Sequence, residues 1–577
     1  MKKARKFVAM LMTAAMSASL LAGCGGSGST AGTDGSAAGS SSAESASSVA
    51  ESSADDGTTE DGEAASDAEQ VLYVGSAYDA STLDPAMATD DGSYNVIRLT
   101  GEPLLRLVDG EVQPGVAESY EVSEDSKEWT FHLRESVWAD GTPMTANDFV
   151  YTLVRDLNPD NALENASTLY IIKNGEAYNG GTVSAEEVGV EAVDDYTLKI
   201  TCETPAYPRT FTDYMFIPVK EEMVEANGNA YGAEYETVVS NGPFTVTEWV
   251  HDSELVLTKN ENYWNKDAIK LQEIHVMAGA AGDTAVDMLL TDSLDAAEFT
   301  TQASMQAVLD NGGFNSYAYY DGVQFIHLNH HGKTEETGKW LDNVNFRKAL
   351  NAAIDREALV AAVYTTDVPA SSIISSTELG VSEPLDQEFE ISSWSTTQDV
   401  DAAKEYLAAA MEDLGVSDVS EIPTFTMLAF DSEKNVTCMN AVADMWLNAL
   451  GIKCDLDLQP ITEMLSKASA GDFDFWKGGQ AVGMDSVDNI LSQYEATKGT
   501  CNMNYEDEKY TELYNAALNA ATWADRKAAV ADIANYFNDN VMDLAVTWMG
   551  IYSVARENVA GVTVSNNYID YTYAYIQ

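Results

Sequence analysis

His327, His330 and His331 are the closest grouping in the sequence of side chains suited to hold a metal, because neutral imidazoles are good ligands. Their spacing argues against it. Adjacent histidines on a strand point to opposite faces, and no thiol or carboxylate cluster accompanies the three, so no metal is expected. Nucleophilic and phosphate chemistry also lack their motifs: there is no Gly-x-Ser-x-Gly, no His-Glu-x-x-His and no Gly-x-x-x-x-Gly-Lys. Of the acidic pairs, Asp55-Asp56 sits in a stretch poor in apolar residues and Asp194-Asp195 in a turn, so neither reads as a glycosidase acid and nucleophile. Besides Cys24 there are Cys202, Cys438, Cys454 and Cys501, with no Cys-x-x-Cys; one disulfide is possible between Cys438 and Cys454, and buried free thiols fit the spacing equally well. The chain is therefore expected to be non-catalytic and to carry no cofactor.

The ends and the charge say where such a chain works. Lys2, Lys3, Arg5 and Lys6 precede an apolar run from Phe7 to about Leu21, too short to span a bilayer and followed by Gly and Ser; residues 1–23 read as a secretion signal. Leu21-Ala22-Gly23-Cys24 resembles the bacterial lipobox, which implies lipidation of Cys24 and attachment to the outer face of the cell membrane, a Gram-positive surface being favoured and a periplasm possible. Residues 24–69 are, apart from Cys24 and Val49, Ser, Ala, Gly, Thr, Asp and Glu with no aromatic and no Lys or Arg, and cannot bury enough apolar surface to order; they are expected to be a disordered tether. With 93 Asp+Glu against 31 Lys+Arg the net charge is −62. That disfavours nucleic acid and anionic lipid as partners, both of which need a basic surface.

Residues 70–577 are too long for one small core. Trp129-Thr130-Phe131-His132-Leu133, Tyr196–Ile200 and Leu255–Thr258 alternate as strands, whereas Phe149, Leu153, Leu157 and Phe346, Leu350, Ile354 repeat at helical spacing. Thr145-Ala146-Asn147-Asp148 has the spacing of a capping box, with Asp for the usual Glu, and starts the first of those helices. The fold class is α/β.

The stretch 116–155, running through Trp-Thr-Phe-His-Leu-Arg and Asp-Gly-Thr-Pro-Met-Thr-Ala-Asn-Asp-Phe-Val-Tyr, resembles the peptide-type solute-binding proteins of ABC importers, family 5 of the bacterial extracellular solute-binding proteins. So do Thr82-Leu83-Asp84-Pro85, Ser240-Asn241-Gly242-Pro243-Phe244, Asn262-Tyr263-Trp264, Asn345 to Arg356, Asn448 to Ile452 and Gly471-Asp472-Phe473-Asp474, in the same order along the chain. The resemblance implies a two-lobed clamp of the periplasmic-binding type with an extra α+β domain. It places lobe I at 70–102, 221–320 and 547–577, the extra domain at 103–220 and lobe II at 321–546. It further implies a monomeric receptor that binds a peptide between the lobes and delivers it to a membrane permease.

In the family the peptide's backbone pairs with protein backbone and its α-amine meets an aspartate that follows a tryptophan. Aligned on Asp474 to Leu491, that tryptophan falls on Gln480 and the aspartate on Gly483, with Gly479 alongside; the nearest carboxylate is Asp485. A buried ammonium without a charged partner is costly. Either Asp485 serves, or the ligand is not a free-amine peptide. Lys477 aligns with a basic residue that meets ligand carboxylates, although a solvated strand-end lysine looks the same. Thr89, Asp90 and Asp91 fall where the first lobe offers an extended edge, or form an acidic turn. Phe325 and Trp548 fall near cleft aromatics, or pack in the core. Other readings are a receptor for a glycan, opine or metal chelate, a surface hydrolase, and an adhesin.

Overall fold

A computed structural model describes residues 69–299, 301–364, 367–375, 385–481, 490–495, 506–565 and 568–577. The predicted signal, Cys24 and nearly all of the tether lie outside these, as do Gly483, Asp485 and Cys501.

The described chain opens with strand β1 (Val71–Ser76) and helix α1 (Asp91–Thr100). Next comes a separate antiparallel sheet in the order β2 (Ala117–Val122), β3 (Glu128–Leu133), β5 (Thr197–Thr201), β4 (Val190–Asp194). On β3 the predicted alternation holds: Trp129, Phe131 and Leu133 face inward and Glu128, Thr130 and His132 do not. Helix α2 (Ala146–Leu157) covers the sheet with Phe149, Leu153 and Leu157, all buried. Its start is the predicted box, in which the Thr145 amide donates to Asp148 Oδ2 at 2.7 Å. The core around Trp129 draws almost wholly on residues between Leu104 and Phe216.

The chain then rejoins β1 through β6 (Phe244–Val250), β7 (Glu254–Lys259), β8 (Glu273–Ala278) and β9 (Ala296–Phe299). β1 lies parallel between β8 and β9. Its core joins the start, middle and end of the chain, with Leu72, Val96, Phe244, Leu257, Ala555 and Ile576 in one cluster.

From β10 (Phe314–Leu328) the chain builds a third body: helices α3 (Val344–Ala352) and α4 (Val400–Leu414), strand β11 (Phe425–Phe430), helix α5 (Glu433–Leu450), strands β12 (Cys454–Gln459) and β13 (Phe475–Ala481), and helices α6 (Glu508–Leu518) and α7 (Trp523–Asn540). α5 starts on Ser432 and ends at Gly451, whose φ of +74° favours a residue without a Cβ. Strand β14 (Leu544–Arg556) then runs back alongside β10.

All of this except the separate sheet around β3 and a few short hairpins shares one eleven-stranded sheet, ordered β6-β7-β8-β1-β9-β14-β10-β13-β11-β12 with a short strand at Val368–Pro369 beside β14. β10 and β14 are long enough to serve both ends: β14 pairs with β9 at Tyr552–Ala555, and β10 pairs with β13 at Gly322–Leu328. The ladder between them shifts register at Tyr320/Gly322 and again at Gln324/Phe325. A further contact bypasses this ribbon. The Tyr207 hydroxyl, beside the Trp129 core, donates to the Ala520 carbonyl at 2.7 Å, its ring packs 5.3 Å from Trp523, and Ser126 Oγ donates to Ala521 O at 2.5 Å.

Candidate functional site

In an open α/β sheet, ligands collect beyond the carboxyl ends of the parallel strands. Around β11 and β13 that edge carries the first turn of α5, and it meets the middle of β10 and β14, where the sheet passes from one body to the other. The predicted residue Lys477 lies here. β13 places it opposite Ile326, and its ammonium donates to Gln324 Oε1 and, at 3.0 Å, to the Gly478 carbonyl. Gln324 reaches across to Met549 Sδ at 2.7 Å. Lys477 is 4 % exposed, and burial, with the Lys434 charge adding, lowers its pKa to about 8. Cys438 and Asp367 oppose that shift, and Asp367 takes a 2.5 Å hydrogen bond from Thr547.

Gly479 and Gln480 follow on β13, paired with Gln324 and Val323. A Cβ at Gly479 would meet the Gln324 amide at 3.3 Å, so the small residue lets the two strands and that side chain share the space.

Thr89, Asp90 and Asp91 lead into a helix in this structure, with Asp90 still in extended backbone. They enter helix α1: Asp90 is its N-cap, accepting from the Ser93 amide at 2.8 Å and from Ser93 Oγ at 2.9 Å, as well as from Ser81. Asp91 keeps an exposed surface, yet burial by the protein around it raises its pKa, Arg98 opposing and Asp90 adding. Phe325 and Trp548 are core in this structure, 1 % and 4 % exposed within one cluster that also holds Tyr494 and Phe537. β10 alternates, so Gln324 rather than Phe325 faces Lys477.

His327 and His330 have structural partners. His327 Nδ1 lies 2.6 Å from Asp543 Oδ2, which also accepts from the Tyr494 hydroxyl at 2.8 Å, and its ring stacks between Phe325 and Trp476. His330 Nε2 meets the Met542 carbonyl at 2.8 Å, and burial lowers its pKa to about 3, which keeps it neutral. Among the described residues no group of three metal-ligating side chains converges. Cys202, Cys438 and Cys454 are free thiols, and burial raises the pKa of each.

The residues that carried the resemblance are mostly structural. Asp84 pairs with Arg155, Asp474 accepts from the Thr426 and Lys333 amides at 2.7 Å each, and Arg347 donates to the carbonyls of Leu341, Asp342 and Val541. Sequence reasoning missed Gln324, Tyr364 and Lys434. They reach Lys477 only across the sheet, and no local spacing signals that.

The chain matches the bacterial extracellular solute-binding proteins, family 5, over residues 111–501. It is 29% identical over 519 residues to the oligopeptide-binding protein OppA of Bacillus subtilis (strain 168), covering 88% of this chain and 93% of that protein. The periplasmic murein tripeptide-binding protein MppA, in its unliganded open form, superposes with a TM-score of 0.75 at 25% identity, over 88% of this chain and 97% of that one. Listeria monocytogenes OppA bound to peptide gives 0.62 at the same 25% identity, over 88% and 99%. The architecture of this chain is the two-lobed clamp of these proteins, and the chain belongs to the bacterial extracellular solute-binding proteins of family 5.

Proposed function

We propose that the chain is the extracellular receptor of an ABC importer, binding peptides between its lobes and handing them to a membrane permease. The observation that carries this reading is the two-lobed plan itself: two bodies joined by the β10–β14 ribbon, with a buried lysine at the join. Ligand contacts made to both bodies favour the closed arrangement by their differential affinity, which gives a permease something to recognise. Lys477 meets a ligand carboxylate, Gly479 and Gln480 offer backbone to the ligand, and Asp485 holds the amine. Thr89, Asp90 and Asp91 face the ligand from the other lobe. Phe325 and Trp548 support the floor from behind.

The division into lobe I (70–102, 221–320, 547–577), extra domain (103–220) and lobe II (321–546) is supported by the separate cores around Leu257, Trp129 and Trp446. The receptor is non-catalytic, works as a monomer, and is held to the cell surface by a lipid on Cys24 after removal of residues 1–23.

Gly483 at the aligned amine position favours a second reading, a blocked peptide or another solute of the same receptor class. Native mass spectrometry of the purified protein with mixed peptides of free and acetylated N-termini separates the two. Retention of free-amine peptides, weakened by Asp485→Asn, supports the peptide receptor with Asp485 as anchor. Retention unchanged by that substitution removes Asp485 from the site, and no preference for the free amine moves the assignment to the second reading.

A further inference from the structure

Lys434 and Lys477 are set around one aromatic ring, their ammonium nitrogens 4.6 Å and 5.7 Å from the centroid of Tyr364. Among the described residues neither has a carboxylate within 4.0 Å. In a chain with 93 acidic and 31 basic residues, two neighbouring lysines without an ion-pair partner among the described residues run against composition, Asp367 acting on Lys477 only from beyond that distance. Lys434 also sits in the first turn of α5, an eighteen-residue helix, where the helix dipole disfavours a cation. Glu433, one residue before it, is exposed and outside ion-pair distance. Lys477 donates only to neutral oxygens, on Gln324 and Gly478. The Tyr364 hydroxyl is buried with no oxygen or nitrogen partner and lies against the Cys438 thiol. Two like charges brought together, one of them buried, raise the energy of the empty site, and an anion relieves both. The helix start and the strand edge both lie at the carboxyl ends of β11 and β13, the side on which the clamp receives its ligand.

We propose that Lys434 and Lys477 form a two-cation pocket that takes a ligand end carrying two carboxylates, namely the C-terminal acidic residue of a peptide. Two ammonium groups beside one ring offer one lysine to each carboxylate. The assignment rests on Lys477 meeting a ligand carboxylate, and adds Lys434 as the residue that sets specificity.

Isothermal titration of the full chain with peptide mixtures identical except for C-terminal Glu or Gln tests it. The Glu-ended set is expected to bind about tenfold tighter. Lys434→Gln is expected to remove that advantage, whereas Lys434→Arg keeps it. Equal affinities in the parent protein, or an advantage that survives Lys434→Gln, overturn the proposal. If no peptide binds, glutarate and butyrate are added in turn and the lysine ε-carbon shifts are followed. Movement of both Lys434 and Lys477 with glutarate alone keeps the pocket while removing the peptide reading; no movement with glutarate removes the pocket.

Discussion

Asp156 is buried beside Arg155, which also pairs with Asp84, so two carboxylates share one guanidinium at the seam between α2 and the Thr82–Pro85 turn. Burial, with Asp84 adding and Arg155 opposing, raises the Asp156 pKa to about 8. The folded state therefore binds a proton that the unfolded chain has released above its ordinary value of 3.8. The stabilisation is complete below about pH 4 and is lost as pH rises through about 8. Asp156→Asn should flatten the fall in melting temperature between pH 6 and 9 relative to the parent; parallel curves would mean that the proton is not held there. Lys477 titrates in the same range, and there the loss is of binding. As pH passes about 8 its charge fades, so affinity for a carboxylate-ended peptide should drop, and Lys477→Met should bind weakly with little pH dependence, both read by titration calorimetry. Lys477 was legible in the sequence because it lies in a stretch that aligns as a block. Gln324, Tyr364 and Lys434 were not, since each comes from a different element and joins Lys477 only through sheet pairing and packing.

Among the elements, periodicity was a sound guide wherever one face is buried: β3, β5, β7, α2 and α3 form where alternation or helical spacing placed them. Thr145→Ala should cost about 1 kcal/mol by losing part of the α2 cap, measured by thermal or urea unfolding. At the start of α1, Asp90 and Ser93 have the spacing of a cap and the residue three on, a signal that the family alignment of Thr89, Asp90 and Asp91 does not use. At β13 the tightest fit is at Gly478, where a Cβ would lie 2.8 Å from the His327 ring. Gly478→Ala should therefore displace His327 from Asp543 and cost roughly 1–3 kcal/mol. Full stability in that variant would show that the ring moves freely.

For the whole molecule, the two-lobed plan was legible from the order of motifs along the chain, while the contact of Tyr207 and Ser126 with Ala520 and Ala521 was not. It joins residues more than 300 positions apart that carry no motif. If clamp closure breaks this contact, Tyr207→Phe, which costs it about 1 kcal/mol, should tighten ligand binding several-fold. Unchanged affinity would mean that the contact persists through closure and lies on the rotation axis. The β10–β14 ribbon carries the other constraint. Its two register shifts bracket residues 322–324, so the ladder is most easily bent at the place where Gln324 holds Lys477. In mechanical terms the flexure and the load point coincide. A substitution that retunes the grip on a ligand there also changes the stiffness of the joint, and affinity and closing rate in this receptor cannot be adjusted separately.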